Sequence, residues 1–307
     1  MSQIVKIRYI LAGMGVVTAL LLGSMDASAK AKTINYKKQF QERILIECVK
    51  EQGIDKNKDG KLSQKEIDAV TSFEVNSEEA IEHSSNIIVA LDDLKIFRNL
   101  KTLKIHIRVS SLKPLYSLKK IRNLYIGDKV TYRKSLKFHK FPQLRELTVY
   151  RNRLDGILDL SKNKKLEKLT CIGCKLTSLN LKKNVRLKEL NCSQNELEKL
   201  NISENVQLLK MDCSQNKIKK LNLSNNLKLK TLDCSMNNIT ELRFNKKGRI
   251  KEIICNFNEI KELDLSSATS LKSVSFLRDN NALYKLILPS RFIAYKVDDL
   301  CKVEIRN

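Results

Sequence analysis

The sequence predicts a solenoid of stacked coils, with a parallel sheet on its concave face, a mostly extended convex side and a small helical cap at its N-terminus. The main observation is a 21-residue period in the second half of the chain. The units begin with the same pattern at Leu166, Leu187, Leu208, Leu229, Ile250 and Leu271. Each begins the template L-x-x-L-x-C-x-x-N-x-L-x-x-L-x-L-x-x-N, of which Leu187 to Asn205 is one full copy. A single unit cannot bury its apolar face alone, so the units must stack to form a core.

The two halves of each unit predict two kinds of extended chain. In the first half, as in Leu190 to Ser193, we expect a short strand of the concave sheet. The asparagine that follows, such as Asn195, has an amide that satisfies main-chain groups where the chain turns. The second half, Leu197 to Asn205, alternates apolar and polar residues and has little helical character. We therefore expect a convex side without helices.

The pattern loosens toward both ends and so divides the chain. Earlier units are longer, such as the 22-residue unit from Leu144 and the 23-residue unit from Ile121, and the last unit arrives two residues late at Leu283. Open solenoid ends expose apolar residues, so terminal caps are needed. The expected divisions are a signal peptide at 1–29, a helical cap at 30–75, a connecting segment or first degenerate repeat at 76–99, repeats at 100–288 and a C-terminal cap at 289–307.

The first residues have the features of a secretory signal peptide. Lys6 and Arg8 precede an apolar stretch at 9–23, and Ala27-Ser28-Ala29 is a cleavage-site pattern. A retained membrane anchor is the alternative, although the apolar stretch is short for a membrane span. No later run approaches the roughly 18 apolar residues of a spanning helix. We therefore expect a protein without stable membrane insertion that is secreted, extracellular or loosely attached to the cell surface.

A complete calcium-loop pattern lies in the predicted cap. Residues 55–66 match D-x-[DN]-x-[DN]-G-x5-E, and a helix is expected before the loop at 37–52 and after it at 63–70. The expected Ca²⁺ ligands are Asp55, Asn57, Asp59, Lys61 through its carbonyl, Ser63 through water and Glu66. Four lysines within the loop weaken the predicted affinity. We expect a structural calcium site, and the alternative is a turn that only has the sequence of such a loop.

Five cysteines recur every 21 residues in one apolar position, at Cys171, Cys192, Cys213, Cys234 and Cys255. Stacked coils place them about 4.8 Å apart with parallel Cα–Cβ bonds, whereas a disulfide needs Cβ atoms about 3.8 Å apart. We therefore predict a buried, reduced ladder that fills the core. Cys174 could form a metal or redox pair with Cys171, but it occupies the asparagine position of its repeat, which is the simpler interpretation.

The order of these features resembles that of secreted leucine-rich repeat proteins of Gram-positive bacteria, with internalin-like repeats. The resemblance rests on the helix and calcium loop, the segment Leu91-Asp92-Asp93-Leu94, and the Cys and Asn repeats, and it covers about 37–288. Residues 76–88 depart from it and look like an insertion. The resemblance implies a leucine-rich repeat solenoid that binds protein or glycan outside the cell, without implying a particular ligand.

Positive charge is concentrated in one part of the chain. The formal net charge is +24, and residues 95–153 contain 17 Lys or Arg against two acidic residues, a local net charge of +15. Basic surfaces attract polyanions such as cell-wall polymers, sulfated glycans and nucleic acid. The alternative is that this charge is compositional and only keeps the protein soluble.

Residues of the concave columns can be identified from the template. Lys104 and Tyr125 fall in one column, and Tyr150 and Arg151 lie in or beside the next. Tyr and Arg dominate interface energetics, so the N-terminal half of the concave face is the predicted ligand surface. Basic residues expected to extend it are Arg122, Lys134 and Arg153. The alternative is that these are ordinary solvated strand residues.

No catalytic motif accompanies these surfaces. The chain has three histidines and lacks the G-x-S-x-G, H-E-x-x-H and phosphate-loop patterns, so we do not expect an enzyme. The leading function is a recognition module for a protein ligand, with an adhesion or virulence role open. The alternative is a binder of anionic cell-wall polymer or glycosaminoglycan through residues 95–153. Nucleic acid is not expected as a partner.

Overall fold

The structure is a computed structural model that describes residues 33–76, 88–127, 136–154, 156–245, 247–275, 283–289 and 302–306. The predicted signal peptide at 1–29, most of the predicted insertion at 76–88, Lys134, and the tail between 290 and 301 lie outside the described residues. In the part of the chain that is described, no helix has the length and apolar character needed to cross a membrane.

The cap contains three short helices: α1 (Tyr36–Gln39), α2 (Arg43–Glu51) and α3 (Gln64–Ala69). The helix predicted at 37–52 is therefore divided. Phe40 adopts an extended conformation after α1, and the main-chain N–H of Gln41 donates to Asp93 rather than to a helical carbonyl. The apolar face expected from the sequence is nevertheless buried, including Ile44 and Cys48.

Helix α3 follows the sequence prediction closely. Ser63 is its N-cap, with a side chain that accepts from the main-chain N–H of Glu66, while Glu66 accepts from the main-chain N–H of Ser63. This capping box satisfies two N–H groups that helix geometry leaves unpaired. The helix ends at Val70, which is extended and buried against the core.

Short parallel strands form the rest of the described chain. In chain order they are β1 Ser72–Val75, β2 Thr102–Ile105, β3 Asn123–Ile126, β4 Glu146–Tyr150, β5 Ile157–Leu158, β6 Lys168–Ile172, β7 Ser178–Leu179, β8 Glu189–Asn191, β9 Lys210–Asp212, β10 Lys220–Asn222, β11 Thr231–Asp233, β12 Glu241–Arg243, β13 Glu252–Ile254, β14 Glu262–Asp264, β15 Ser273–Ser275, β16 Lys285–Pro289 and β17 Lys302–Arg306.

Ten of these strands form one sheet with the order β1-β2-β3-β4-β6-β8-β9-β11-β13-β15. Leu190 pairs with Met211, and Leu232 pairs with both Met211 and Ile253, so the register steps by 21 residues as predicted. The sheet begins with β1, inside the segment predicted as the helical cap. Its Phe73 is fully buried, so the cap itself supplies the first strand of the solenoid.

The opposite side of the coils differs between the two ends of the solenoid. In the later coils it is extended, with the pairs β5-β7 and β10-β12 and the group β14-β16-β17. In the first coils it contains 3₁₀ helices at Asp92–Ile96, Lys113–Ser117 and Phe138–Lys140, which the prediction of an extended side did not include. Apolar residues there recur every three positions, as in Leu112, Leu115 and Leu118, which matches the three residues per turn of a 3₁₀ helix.

Two ladders of buried asparagine hold the coils together. Asn195, Asn216, Asn237 and Asn258 each donate to carbonyls of their own and the preceding coil. A second ladder follows the other half of the unit: Asn184 donates to the Asn163 carbonyl, and Asn205 to the Asn184 carbonyl, both at 3.0 Å. These amides satisfy main-chain groups at the corners, where strand pairing ends.

The cysteine ladder lies inside the core, as the spacing predicted. All five ladder cysteines are fully buried and free, and Cys174 is also buried in the asparagine position of its repeat. Burial raises the pKa of Cys174 to about 11 and that of Cys255 to about 12, so both thiols stay neutral. Cys301 lies outside the described residues.

The C-terminal end of the solenoid keeps the late register that the sequence indicates. Leu286 pairs with Leu263, a step of 23 residues, and β17 then pairs with β16 in parallel. The tail therefore contributes a regular strand to the side opposite the ten-stranded sheet. This strand covers an edge that β16 would otherwise leave unpaired.

Candidate recognition surface

The outward residues of the ten-stranded sheet form continuous columns. Pairing places Glu74, Lys104, Tyr125, Thr148, Thr170, Asn191, Asp212, Asp233, Ile254 and Ser275 side by side, in the order read from the repeat. Neighbouring strands lie about 4.8 Å apart, so adjacent members of this column can contact one ligand group together.

An aromatic and charged group occupies the N-terminal end of this face. Lys104 Nζ lies 3.0 Å from Glu74 Oε2, and His106 Nε2 lies 3.0 Å from the other oxygen of the same carboxylate. The His106 and Tyr125 rings lie with their centroids 4.8 Å apart. Glu74 thus pairs with Lys104, whereas its contact with His106 lacks hydrogen-bond geometry, and the His106 ring lies beside the Tyr125 ring.

His106 was not among the predicted ligand residues. It directly follows Ile105, which pairs with Ile126, and Ile126 pairs with Val149. His106, Gly127 and Tyr150 are therefore consecutive members of one column. Extending the predicted Tyr150 column two coils toward the N-terminus would have identified His106 from the sequence.

Gly127 contributes no side chain to that column. A Cβ atom at this position would lie 3.3 Å from both the Ile105 carbonyl oxygen and an edge carbon of the Tyr125 ring. The ring therefore uses space that most residue types would fill. His106 and Tyr150 therefore lie on either side of Gly127 in their column, with the Tyr125 ring packed against the glycine.

Arg151 completes the group at the carboxyl end of β4. Its guanidinium carbon lies 5.0 Å from the centroid of the Tyr150 ring, within the range of a cation–π interaction. Its φ is +50°, a left-handed conformation that bulky residues rarely adopt. The chain turns out of the sheet at this residue, and the main-chain N–H of Arg151 donates to the Ile172 carbonyl at 2.8 Å.

The structure does not bring all predicted ligand residues together. Arg122 precedes β3, whereas Arg151 follows β4, so in a parallel sheet they lie at opposite edges. Strands of four or five residues separate those edges by about 15 Å. Arg153 is exposed beyond Arg151 at the carboxyl edge. Lys134 lies outside the described residues.

The C-terminal half of the same face is acidic. The Ser214 hydroxyl donates to Asp212 Oδ1 at 2.7 Å, and Asn191 Nδ2 donates to the other oxygen at 2.9 Å. The Ser235 hydroxyl donates to Asp233 Oδ1 at 2.6 Å. These bonds fix both carboxylates in a shallow depression of about 350 Å³. No aromatic side chain lines it, so it offers fewer anchors for a protein ligand than the N-terminal half.

The predicted calcium loop has a well-ordered main chain. The Gly60 N–H and the Tyr36 hydroxyl donate to Asp55 Oδ2 at 2.9 and 3.0 Å. The Lys61 N–H donates to Asp59 Oδ1, and the Asp59 N–H donates to Asn57 Oδ1. Gly60 has a φ of +80°, which explains why this position of the loop requires glycine.

One feature of the loop fits a bound cation. Asp55 is buried, and its Oδ1 atom has no hydrogen-bond partner among the described residues. Two features compete with a cation. Glu66 accepts from the Lys56 N–H and from Ser63, whose hydroxyl contributes most to holding the pKa of Glu66 below its usual range. In the described part of the chain, no three Asp, Glu, His or Cys side chains converge on one point.

Comparisons with known proteins identify the fold. No protein-family model matches the chain, and no curated protein matches its sequence. Among solved structures, the functional domain of InlJ from Listeria monocytogenes, which includes a cysteine ladder, has a TM-score of 0.58 at 21% identity over 84% of this chain and 67% of that chain. InlP from the same organism has a TM-score of 0.62 at 17% identity, over 84% and 73%.

The likeness extends beyond that organism. A leucine-rich repeat protein of Leptospira interrogans has a TM-score of 0.54 at 16% identity, over 71% of this chain and 70% of that chain. Identities this low carry information about fold alone. Together with the parallel sheet and its 21-residue register, they show that the chain is a leucine-rich repeat solenoid similar in fold to the internalins.

Proposed function

We propose that this chain is a secreted or surface-associated module that recognises a protein ligand with the N-terminal half of its sheet face. The observation that carries the proposal is the group of His106, Tyr125, Tyr150 and Arg151 beside Gly127. Two tyrosines and an arginine are the residue types that anchor interfaces most often. The group binds a partner without catalysing a reaction.

The contacts within the group support recognition. Glu74 pairs with Lys104, the Tyr125 ring lies beside His106, and the Tyr150 ring contacts Arg151, so these side chains lose little freedom when a ligand docks. Leucine-rich repeat solenoids of the internalin type are typically protein-binding modules, and the signal-peptide pattern at 1–29 supports secretion.

The test is capture of proteins from host and bacterial surface extracts by the mature chain and by two double variants. Tyr125→Ala with Tyr150→Ala removes both aromatic anchors, and we expect the captured protein to be lost. Thr170→Ala with Thr231→Ala changes the same face in the C-terminal half and should retain it. Equal capture by both variants would place the ligand elsewhere.

Salt separates this proposal from binding of a polyanion through residues 95–153. Capture through aromatic anchors should change little between about 50 and 200 mM salt, whereas polyanion binding falls steeply over this range. Because Lys104 is paired with Glu74 and Arg151 is stacked on Tyr150, the basic stretch is not one free cationic patch. That observation favours a protein ligand on the sheet face.

We also propose that the cap loop binds Ca²⁺ in a structural role. Asp55, Asn57, Asp59, the Lys61 carbonyl and Glu66 would hold the ion, with Ser63 acting through water. The unpartnered Oδ1 atom of Asp55 supports this proposal. The ion would supply a hard cation that balances the loop carboxylates. Because Ser63 and Lys56 already engage Glu66, we expect the stabilisation to be modest.

A further inference from the structure

An aligned series of basic side chains lies along the side of the ten-stranded sheet at which its strands begin, one residue in each coil. We call this side the N-terminal edge of the strands. Within this sheet, the residue immediately before each strand from β3 to β15 donates its main-chain N–H to the carbonyl of the equivalent residue in the preceding coil, at 2.7 or 2.8 Å. These bonds align Lys101, Arg122, Arg145, Glu167, Lys188, Leu209, Lys230, Lys251 and Lys272. We call these residues the basic column. At about 4.8 Å per strand it is about 40 Å long.

Most charges in the basic column are free. Its seven Lys and Arg side chains are all exposed. Arg145 and Lys188 share Glu167, each with a nitrogen 2.7 Å from one of its oxygens. The other five basic residues form no ion pair with any residue that the structure describes.

A second aligned series lies two residues earlier in each coil, across a buried apolar residue. We call it the flanking column: Asn99, Lys120, Gln143, Lys165, Arg186, Gln207, Lys228, Arg249 and Ser270. Neighbouring coils are joined by bonds from lysine to an amide, at 2.6 Å from Lys120 to Asn99 and from Lys228 to Gln207. Neither bond cancels the lysine charge, and the flanking column contains no acidic residue.

The side of the sheet at which the strands end carries both positive and negative charges. There Lys217 is paired with Glu196 at 3.2 Å, and Glu259 lies two coils beyond Lys217. Positive charge is therefore concentrated on the edge where the strands begin. Twelve Lys or Arg occupy the 18 positions of the two columns, against one acidic residue.

We propose that the basic and flanking columns bind a linear polymer of phosphodiester-linked polyol units that lies along this edge. A line of fixed cations attracts a chain of regularly spaced anions and releases its counterions. The two columns contain no aromatic residue. Single-stranded nucleic acids gain affinity by stacking on aromatic side chains, so this surface suits a chain recognised through charge alone. The surface is distinct from the aromatic group on the sheet face.

The proposed polymer-binding surface differs in location from the polyanion surface predicted from the sequence. The surface is not the sequence stretch 95–153 but one edge of the whole solenoid, from Lys101 to Lys272. Arg122 belongs to it, whereas Arg151 does not. Glu167 interrupts the basic column and binds two of its cations, with the Lys188 ammonium contributing most to holding the pKa of Glu167 below its usual range.

The test measures binding of the mature protein to poly(glycerol phosphate) at several salt concentrations. The edge variant carries Lys230→Glu, Lys251→Glu and Lys272→Glu. The matched control carries Lys199→Glu, Lys219→Glu and Lys261→Glu, which are exposed lysines outside both columns with the same total charge change. A milder edge variant with Gln at the same three positions is available if the glutamates disturb folding, which circular dichroism will show.

We expect the edge variant to lose at least about tenfold in affinity at 50 mM salt, and its slope of log K against log salt to fall by about 3, one for each lost contact. The control should stay close to the unmodified protein. Glu167→Gln should bind more tightly and steepen the slope by about 1, because it removes one negative charge from the basic column. A purely structural role for these residues would not predict that gain.

Several results would overturn the proposal. They are equal losses in the edge and control variants, no binding by the unmodified protein, or binding of heparin or single-stranded DNA without binding of poly(glycerol phosphate). The Tyr125→Ala and Tyr150→Ala double variant should bind the polymer normally. Failure of the sheet-face proposal is therefore distinguishable from failure of this one.

Discussion

Replacing Asn216 by alanine tests the asparagine ladder most directly. Its Nδ2 donates to the carbonyls of Cys192, Cys213 and Ser214 at 3.0 to 3.1 Å, and its Oδ1 accepts from the Leu197 N–H at 3.0 Å. An amide has two hydrogens, so the three donor contacts count as two bonds. With the accepted bond, alanine removes three buried bonds worth about 1 kcal/mol each, or about 3 kcal/mol.

Urea unfolding followed by circular dichroism measures this change. Asn238→Ala is the matched control, because Asn238 is exposed and, among the described residues, its side-chain amide makes only a long contact of 3.4 Å with Glu259. We expect Asn216→Ala to reduce the free energy of unfolding by about 3 kcal/mol and Asn238→Ala to change it by less than about 0.5 kcal/mol. A loss below about 1 kcal/mol at Asn216 would refute the view that the ladder amides satisfy main-chain groups.

Asn216→Cys is an intermediate case, because another coil of the chain already has cysteine at this repeat position. Cys174 occupies the same repeat position, and its thiol donates to the Val149 and Ile172 carbonyls at 3.4 Å. Leu154, in the coil before Cys174, is placed as Leu197 is placed before Asn216, and its N–H donates to the Cys174 carbonyl instead of a side-chain oxygen. Asn216→Cys should therefore retain weak donation and lose about half as much as alanine.

Two further predictions concern the cap and the core. Calcium at ten times its dissociation constant should stabilise the protein by about 1.4 kcal/mol and so raise its melting temperature. Glu66→Gln should abolish this increase, whereas Asp68→Asn, on the exposed side of α3, should not. An unchanged melting temperature in millimolar calcium would show that the loop does not bind the ion. Burial raises the pKa of every ladder cysteine, so their contribution to stability is complete below about pH 8.5 and is lost as pH rises toward the folded values. Above pH 9, the free energy of unfolding of Cys213→Ala should fall with pH less steeply than that of the unmodified protein, by about 1.4 kcal/mol per pH unit. Equal slopes for the two proteins would show that the Cys213 thiol is accessible when folded.

The parts of the fold that were predictable are those that the repeat specifies in every coil. The strand positions, the 21-residue register, the buried cysteines and the asparagine bonds all follow from residues that recur at fixed spacing. The 3₁₀ helices were missed because we generalised the extended side from the later units. The division of the cap helix was missed because it depends on a contact between Gln41 and Asp93, which are distant in sequence.

The candidate site was only partly predictable, for a similar reason. The repeat identifies which residues face outward, so the positions of Lys104, Tyr125 and Tyr150 on the sheet face could be predicted. It does not identify which outward residues contact one another across coils. The proximity of Glu74 to both Lys104 and His106 depends on β1, which lies in a segment without the repeat pattern. The basic column could not be recognised from charge counted along the sequence, because each coil contributes only one residue to it.

The two proposed surfaces are compatible in one molecule because the parallel strands separate them. The aromatic group lies on the sheet face toward the carboxyl ends of the strands, and the basic column lies where the strands begin. Strands of about 15 Å keep the two surfaces apart by more than the screening length of about 8 Å at physiological ionic strength. A polymer bound along the edge therefore contributes little field at Tyr150 and leaves the rings around Gly127 accessible. Such an arrangement would allow the solenoid to be retained by an anionic polymer while its sheet face binds a protein.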